Sequence, residues 1–219
     1  MQILLIGGGM ANTFFKARGL EIGRSLVEDE MLATARTVMD RATARGIELV
    51  LPSDVVVTDS LDQPTRIEVV AADAIPADLM VVDLGPDARG RCASALAGAR
   101  TVFWNGPMGV FEVDEFAAGT LAVARALADC PGFTVVGGGE SVMAIRRAGV
   151  VDRIAAKLAR GHGPTRTDRR PFPWAPAQDW DSWTRSMTAR GLELRLDEAT
   201  LSSCPIPPAP TRPRTTDDR

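Results

Sequence analysis

Phe103-Trp104-Asn105-Gly106-Pro107-Met108-Gly109-Val110-Phe111-Glu112 decides how the rest of the chain is read. A short run from Ala99 to Phe103 precedes it, and Thr101 to Trp104 has the apolar character of a strand. Gly106-Pro107 turns the chain, Gly109 keeps the loop tight, and Glu112 sets a single acid at its end. A helical pattern follows from about Glu115 to Ala128, with Phe116, Leu121, Ala124 and Ala128 on one face. Asp114 is its expected cap. Strand, tight apolar loop and helix in that order make one unit of an α/β sheet.

The same unit recurs on both sides. Ile3 to Ile6 is a continuous apolar run, as a buried parallel strand requires. Gly7-Gly8-Gly9 follows, then a helix from about Met10 to Ala17. Ser25-Leu26-Val27-Glu28 matches a capping box, in which Ser and Glu satisfy free amides at a helix start. Val27, Met31, Ala35, Val38 and Ala42 continue it as an amphipathic stripe, and Gly46 stops it. Ile47 to Leu51, Val55 to Val57, Ile67 to Val70 and Met80 to Val82 are strand candidates. Asp83-Leu84-Gly85-Pro86 turns the chain into a helix of roughly Asp87 to Leu96. Phe133 to Val136 is another strand, and Gly137-Gly138-Gly139 opens a helix running to about Arg147. The alternation predicts an α/β fold, a parallel sheet with helices on both faces in a Rossmann-like three-layer arrangement.

Composition bounds the rest. The 219 residues are 45% hydrophobic and 24% charged, which suits a globular core with or without a tail. A net charge of −3 supplies no bulk basic field, so neither nucleic acid nor a membrane surface is an expected partner. Cys92, Cys130 and Cys204 are too widely spaced for a metal or redox pattern, and a reduced, cytoplasmic protein is expected. No apolar run approaches the roughly 18 residues of a transmembrane helix. The start, Met1 to Ile6, lacks the basic segment of a signal peptide and enters a core strand at once, so an upstream part is expected. Near residue 157 the character changes. Most of the prolines and three of the four tryptophans, Trp174, Trp180 and Trp183, follow that point. Residues 157–219 are therefore expected to form a low-order tail, with one edge strand at Gly191 to Glu198.

Two strand-to-glycine-to-helix junctions carry the chemistry. Glycines at Ile6-Gly7-Gly8-Gly9-Met10 and Val136-Gly137-Gly138-Gly139-Glu140-Ser141 let backbone approach a ligand, and each following helix offers free amides to a phosphate. Neither junction has the Lys-Ser or Lys-Thr pair of a P-loop. The plain alternative is a pair of tight turns that need small residues for packing. Glu112 is suited to a ribose diol, or else is a solvated acid before a helix. Glu140 is suited to a magnesium ion beside phosphates, or else simply favours the helix dipole. His162, the only histidine, has no Ser or Cys partner set, and no residue is assigned a catalytic role. The arginine-rich run from Arg160 to Arg170 is expected to be solvated.

Together these segments resemble the C-terminal, nucleotide-binding domain of phosphoglycerate kinase. The resemblance rests on Ile6 to Phe14, Glu21 to Leu26, Leu51 to Val57, Trp104 to Glu112, Gly119 to Ala124 and Gly137 to Ser141, in matching order over about residues 1–155. It implies an incomplete domain over 1–156, acting in glycolysis with ATP or ADP and magnesium, and a monomer. Gly7, Gly8, Leu26 and Val82 would line an adenine slot. Asn105, Pro107, Gly109 and Val110 would wall the nucleoside, and Glu112 would take the ribose hydroxyls. Gly138, Gly139, Glu140 and Ser141 would lie along the phosphates, with Glu140 facing the metal.

Three residues depart from the family's pattern. Glu140 stands where the family has Asp, and Val81-Val82-Asp83 where it has Gly-Leu-Asp, which implies a narrower slot. Three parts of the family's pattern have no counterpart: the N-terminal domain with its basic glycerate site and catalytic Arg, the first strand-helix unit with its phosphate-reaching lysines, and a late Ser-Thr-Gly-Gly-Gly-Ala segment. The last should follow Arg153-Ile154-Ala155, and a frameshift or recombined 3′ end is the expected cause. 3-Phosphoglycerate is thus a partner only if the missing domain is supplied. Phosphoryl transfer is mostly positioning and charge stabilisation, so the chain alone is expected to be nearly inactive. The alternatives are a nucleotide-binding remnant without turnover and a truncated pseudogene product.

Overall fold

The computed structural model describes residues 2–159 and 162–165, with side chains described as far as residue 155. Of the tail expected over 157–219, residues 160–161 and 166–219, with the strand at 191–198 and the three tryptophans, lie outside the described residues, as do the side chains of His162 and of the arginine run. In order the elements are β1 (Ile3–Leu5), α1 (Gly8–Ala17), α2 (Leu32–Ala44), β2 (Glu48–Val50), β3 (Asp54–Thr58), β4 (Ile67–Ala71) and β5 (Met80–Leu84). Then come α3 (Pro86–Ala97), β6 (Thr101–Asn105), α4 (Ala118–Asp129), β7 (Phe133–Gly137), α5 (Gly139–Arg147), β8 (Ala156–Ala159) and β9 (His162–Thr165). This is the α/β architecture that the sequence implies.

β1 and β2 pair in parallel, Ile3 beside Glu48 and Leu5 beside Val50. β6, β7 and β8 form a second parallel set, in register from Thr101 with Phe133 to Asn105 with Gly137. β9 runs antiparallel to β8, so strand pairing continues beyond residue 157. Between the two parallel sets lies an antiparallel sheet in the order β4-β3-β5. No helix separates β2 from β5, and connections that short cannot make a parallel crossover. The turn from β3 to β4 closes on Asp59, whose carboxylate accepts the amides of Thr65 and Arg66 and the Thr65 hydroxyl.

β3 shows why its run is apolar on both sides. Val55 and Val57 face a core formed with Phe14, Phe15, Ile22, Ala35 and Leu79. Val56, between them, packs with Val82 and Phe116 on the opposite face. A strand covered on both faces reads as a continuous apolar run rather than an alternating one. The largest core joins α3, α4 and α5 to Leu84, Trp104 and Val136. Cys92 lies in it as a free thiol, and Cys130 is also free. Among the described residues no helix is long and apolar enough to cross a membrane.

Several local expectations change. The capping box at Ser25 is not formed. α2 begins at Leu32 after a 3-10 turn at Asp29–Met31, and neither start has a side-chain cap bond. The Ser25 hydroxyl instead donates to the Ile22 carbonyl and accepts the Val81 amide at 2.9 Å. The reason is tertiary. Gly23 sits at φ +56 against the Leu79 and Pro76 carbonyls, which brings this segment onto β5. The stripe narrows accordingly: Ala35 and Ala42 are buried, Val27 and Val38 half-buried, and Met31 exposed. Asp114 does not cap the next helix either. α4 begins at Ala118, Asp114 pairs with Arg147, and the Gly119 amide goes to Asp83 at 2.6 Å. β1, expected to be buried, is half-buried at Ile3, Leu4 and Leu5, and β2 is its one hydrogen-bonded strand among the described residues.

Candidate functional site

Three strand ends meet at one mouth. The Gly8 amide donates to the Met108 carbonyl at 3.1 Å, joining the first glycine junction to the 105–112 loop. A Cβ on Gly7 would collide with the Met108 methyl group, and one on Gly8, at φ +60, would lie 2.8 Å from the Pro107 carbonyl oxygen. Gly8 is needed where backbone packs on backbone, whereas Gly7 faces the end of the Met108 side chain. The second junction is fixed to the same loop. The Gly106 amide donates to Ser141 Oγ at 2.7 Å, and a Cβ on Gly138, at φ +84, would lie 2.9 Å from Asn105 Oδ1.

The loop is fastened along its whole length. The Met108 amide donates to Thr120 Oγ1 at 3.0 Å, and the Val110 amide to the Val82 carbonyl at 2.8 Å. Arg147 of α5 donates to the Phe111 carbonyl and pairs with Asp114, bracketing Glu112. Phe111 itself is buried in the main core. Gly109 lies against β5: a Cβ there would sit 2.5 Å from both Asp83 Oδ1 and the Val82 carbonyl oxygen. Multiple bonds of about 1 kcal/mol net each hold such a segment in one conformation.

The candidates occupy different positions within this frame. Gly7, Gly8, Pro107, Gly109 and Val110 gather on the β1–β6 side of the mouth, and Asn105, Gly138 and Ser141 at the start of α5. Glu112 and Glu140 are exposed and have no hydrogen-bond or ion-pair partner among the described residues. Glu140 lies in the first turn of α5, where backbone amides are free to face an anion. Gly139 has open space around it. Leu26 is 75% exposed, and its carbonyl accepts the Asn12 side-chain amide at 3.1 Å. Val82 is 2% exposed, packed with Val56 and Phe116, so it presents its carbonyl to the loop rather than its side chain to a slot. Ser141 is fully buried, with its oxygen engaged by Gly106. Among the described residues no group of three or more His, Cys, Asp or Glu side chains is placed to hold a metal.

Sequence inspection missed four residues that build this frame: Asn12, Asp83, Thr120 and Arg147. Thr120 falls in the quoted Gly119–Ala124 segment without a role, and Asp83 enters only as a turn residue and as the acid of the family's Gly-Leu-Asp pattern. Asp83 is 2% exposed. Burial pushes its carboxyl up to about 6, against the hydrogen bonds from Gly119 and Leu84 and the charge of Arg89, which lower it. Asn12 Oδ1, Asp83 Oδ1 and Trp104 Nε1 are buried without a hydrogen-bond partner among the described residues.

The class this defines is an α/β protein whose glycine junctions converge at the carboxyl ends of parallel strands, the end where such sheets gather ligands. Residues 1–157 match the family described as phosphoglycerate kinase, and the chain belongs to that family. It is 49% identical over 162 residues to a phosphoglycerate kinase of Thermomicrobium roseum, covering 74% of this chain and 41% of that protein. It is 50% identical over 165 residues to one from Streptomyces coelicolor, covering 73% and 41%. Among solved structures, the phosphoglycerate kinase of Coxiella burnetii superposes with a TM-score of 0.70 at 37% identity, over 73% of this chain and 41% of that one. That of Pyrococcus horikoshii OT3 superposes at 0.60 with 29% identity, over 73% and 40%. The chain thus spans about two fifths of the length of the curated relatives it matches.

Proposed function

We propose that residues 1–156 are the nucleotide-binding, C-terminal domain of a phosphoglycerate kinase, and that the mouth between the two glycine junctions takes ATP or ADP. The observation that carries this is the fastened 105–112 loop with Glu112 left exposed and unpartnered at its end. A carboxylate held ready on a fixed loop suits a ribose diol. Free amides at the start of α5 suit the phosphates. Magnesium fits the donor set only in part: Glu140 offers one carboxylate, and such an ion commonly takes one or two carboxylates with the nucleotide phosphates as its other ligands. Bound there, it would neutralise phosphate charge. Ser141 serves this mouth by holding Gly106, and Val82 by holding Val110 through its carbonyl.

3-Phosphoglycerate would be taken by a second domain, so the chain by itself is proposed to turn over negligible substrate. The same loop geometry serves equally a nucleotide-binding remnant without turnover, and a coupled assay with ATP and 3-phosphoglycerate tests the low turnover that both readings share. Kinase-like turnover by the purified chain would refute the low-activity reading.

The binding claim is tested by Glu112→Ala. Loss of a hydrogen-bonded charged group costs about ten- to a hundred-fold in affinity. Calorimetry with Mg-ADP is expected to show that loss with the melting temperature unchanged, because Glu112 is exposed and has no protein partner among the described residues. Equal affinity in the two proteins would remove Glu112 from the site.

A further inference from the structure

Asp83 is a buried carboxylate to which the proposed chemistry gives no task. It stands near the end of β5, with Oδ2 accepting the Gly119 amide at 2.6 Å in the first turn of α4. Its other oxygen has no hydrogen-bond partner. A Cβ on Gly119 would collide with Oδ1, and one on Gly109 would lie 2.5 Å from it. The carboxylate is therefore wedged between the start of α4 and the loop that walls the mouth. The adjacent residues complete the tie: the Val82 carbonyl holds Val110, and Thr120, beside Gly119, holds Met108.

We propose that Asp83 is the positioning residue of the mouth: its carboxylate ties the start of α4 to the 105–112 loop and thereby sets how tightly the mouth takes a nucleoside diphosphate. This rests on the nucleotide reading of the site. In the ionised form Oδ2 accepts the Gly119 amide in a charge-assisted bond, and Oδ1 lies against Gly109. Protonation removes the charge that strengthens the Gly119 bond, so the start of α4 is held less tightly. Thr120, the next residue, then holds Met108 less firmly, and the loop loosens. Of the charged groups on the elements packed around β5, Arg89 of α3 acts on Asp83. Lys16 of α1 is paired with Asp29, Asp54 of β3 accepts the amides of Asp87 and Ala88, and Arg125 of α4 is exposed. The switch therefore belongs to Asp83, and its range lies near pH 6, where burial has moved the group.

The test uses the full chain and Asp83→Asn between pH 5 and 8. Amide resonances of Gly109, Val110 and Gly119 are followed by NMR, and Mg-ADP affinity by calorimetry. In the wild type the three amides should move together with one midpoint near 6, and in Asp83→Asn they should not titrate there. ADP's own phosphate titrates at roughly pH 6 as well, so the readout is the ratio of wild-type to variant affinity at each pH. That ratio should fall roughly tenfold from pH 7.5 to 5, the equivalent of one unit of differential protonation. A constant ratio, or a wild-type Gly119 amide that does not titrate, overturns the proposal. If Asp83→Asn does not fold, the wild-type amides together with Asp83→Glu, which should retain a titration, decide it. Absence of ADP heat at every pH in both proteins, with the three amides still titrating together, overturns the nucleotide reading and the affinity claim with it. The tie between Asp83 and the loop would then stand on the amides alone.

Discussion

Gly109→Ala will lower the stability of the chain by about 3 kcal/mol, the upper end of the cost of overpacking a filled core. The new methyl group would begin 2.5 Å from both Asp83 Oδ1 and the Val82 carbonyl oxygen, and 2.8 Å from Asp83 Cα. Two of those atoms are backbone of β5, which is hydrogen-bonded to β3 along its length. The third, Asp83 Oδ1, belongs to a buried carboxylate held by the Gly119 amide. The loop must move instead, at the expense of the Val110 bond to Val82. A loss of this size lowers the melting temperature by roughly 6–12 °C in a chain of this length. Mg-ADP affinity should fall with it, since the displaced segment carries Val110 and Glu112. Gly139→Ala is the matched control. A Cβ there meets nothing within 4 Å, so stability should stay within about 0.5 kcal/mol of the wild type. Equal melting temperatures for Gly109→Ala and the wild type would mean that the loop does not pack on β5 as described.

What the sequence made legible, and what it did not, follows from the range of the interactions. Strand positions from Ile3 to Phe133 were readable because buried strands need continuous apolar runs, and both glycine junctions because sharp strand-to-helix turns need small residues. The loop from Trp104 to Glu112 was readable as a unit because its turn residues and its single acid are adjacent in the chain. Pairing direction was not, because β3, β4 and β5 look like any other strands until their short connections are seen to lack a helix. Ser25 misled for a related reason. Its local pattern suits a cap, but a bond to the Val81 amide 56 residues away takes its hydroxyl. Asp83 was hidden in the same way, since an acid before Leu-Gly-Pro resembles an ordinary turn residue. Its burial depends on Gly109 and Gly119, which are 26 and 36 residues further along the chain. Val82 shows the opposite error: the resemblance assigns it to a slot, while the fold uses its side chain as core and its carbonyl as an anchor.

Phe111→Ala should be still more damaging, at about 4 kcal/mol, because it removes a buried aromatic and leaves a cavity that its neighbours cannot fill. Phe111 is 2% exposed and belongs to the core that joins α3, α4 and α5 to the sheet. Its side chain is the apolar anchor of the loop's far end, and its carbonyl accepts Arg147. Both attachments stand immediately before Glu112, so the carboxylate is placed by core packing rather than by any bond of its own. The substitution therefore tests stability and site together. Denaturant unfolding should show a lower midpoint with an unchanged slope, the mark of lost stability rather than an altered denatured state. Stabilities of single domains are commonly about 5–15 kcal/mol, so enough folded protein should remain for calorimetry. There Mg-ADP affinity should fall by at least as much as in Glu112→Ala, since Glu112, the proposed ribose ligand, loses its support. Phe111→Leu, which keeps most of the buried volume, should recover the greater part of both. A Phe111→Ala protein that binds Mg-ADP as tightly as the wild type would show that Glu112 is held by something other than the core beneath it.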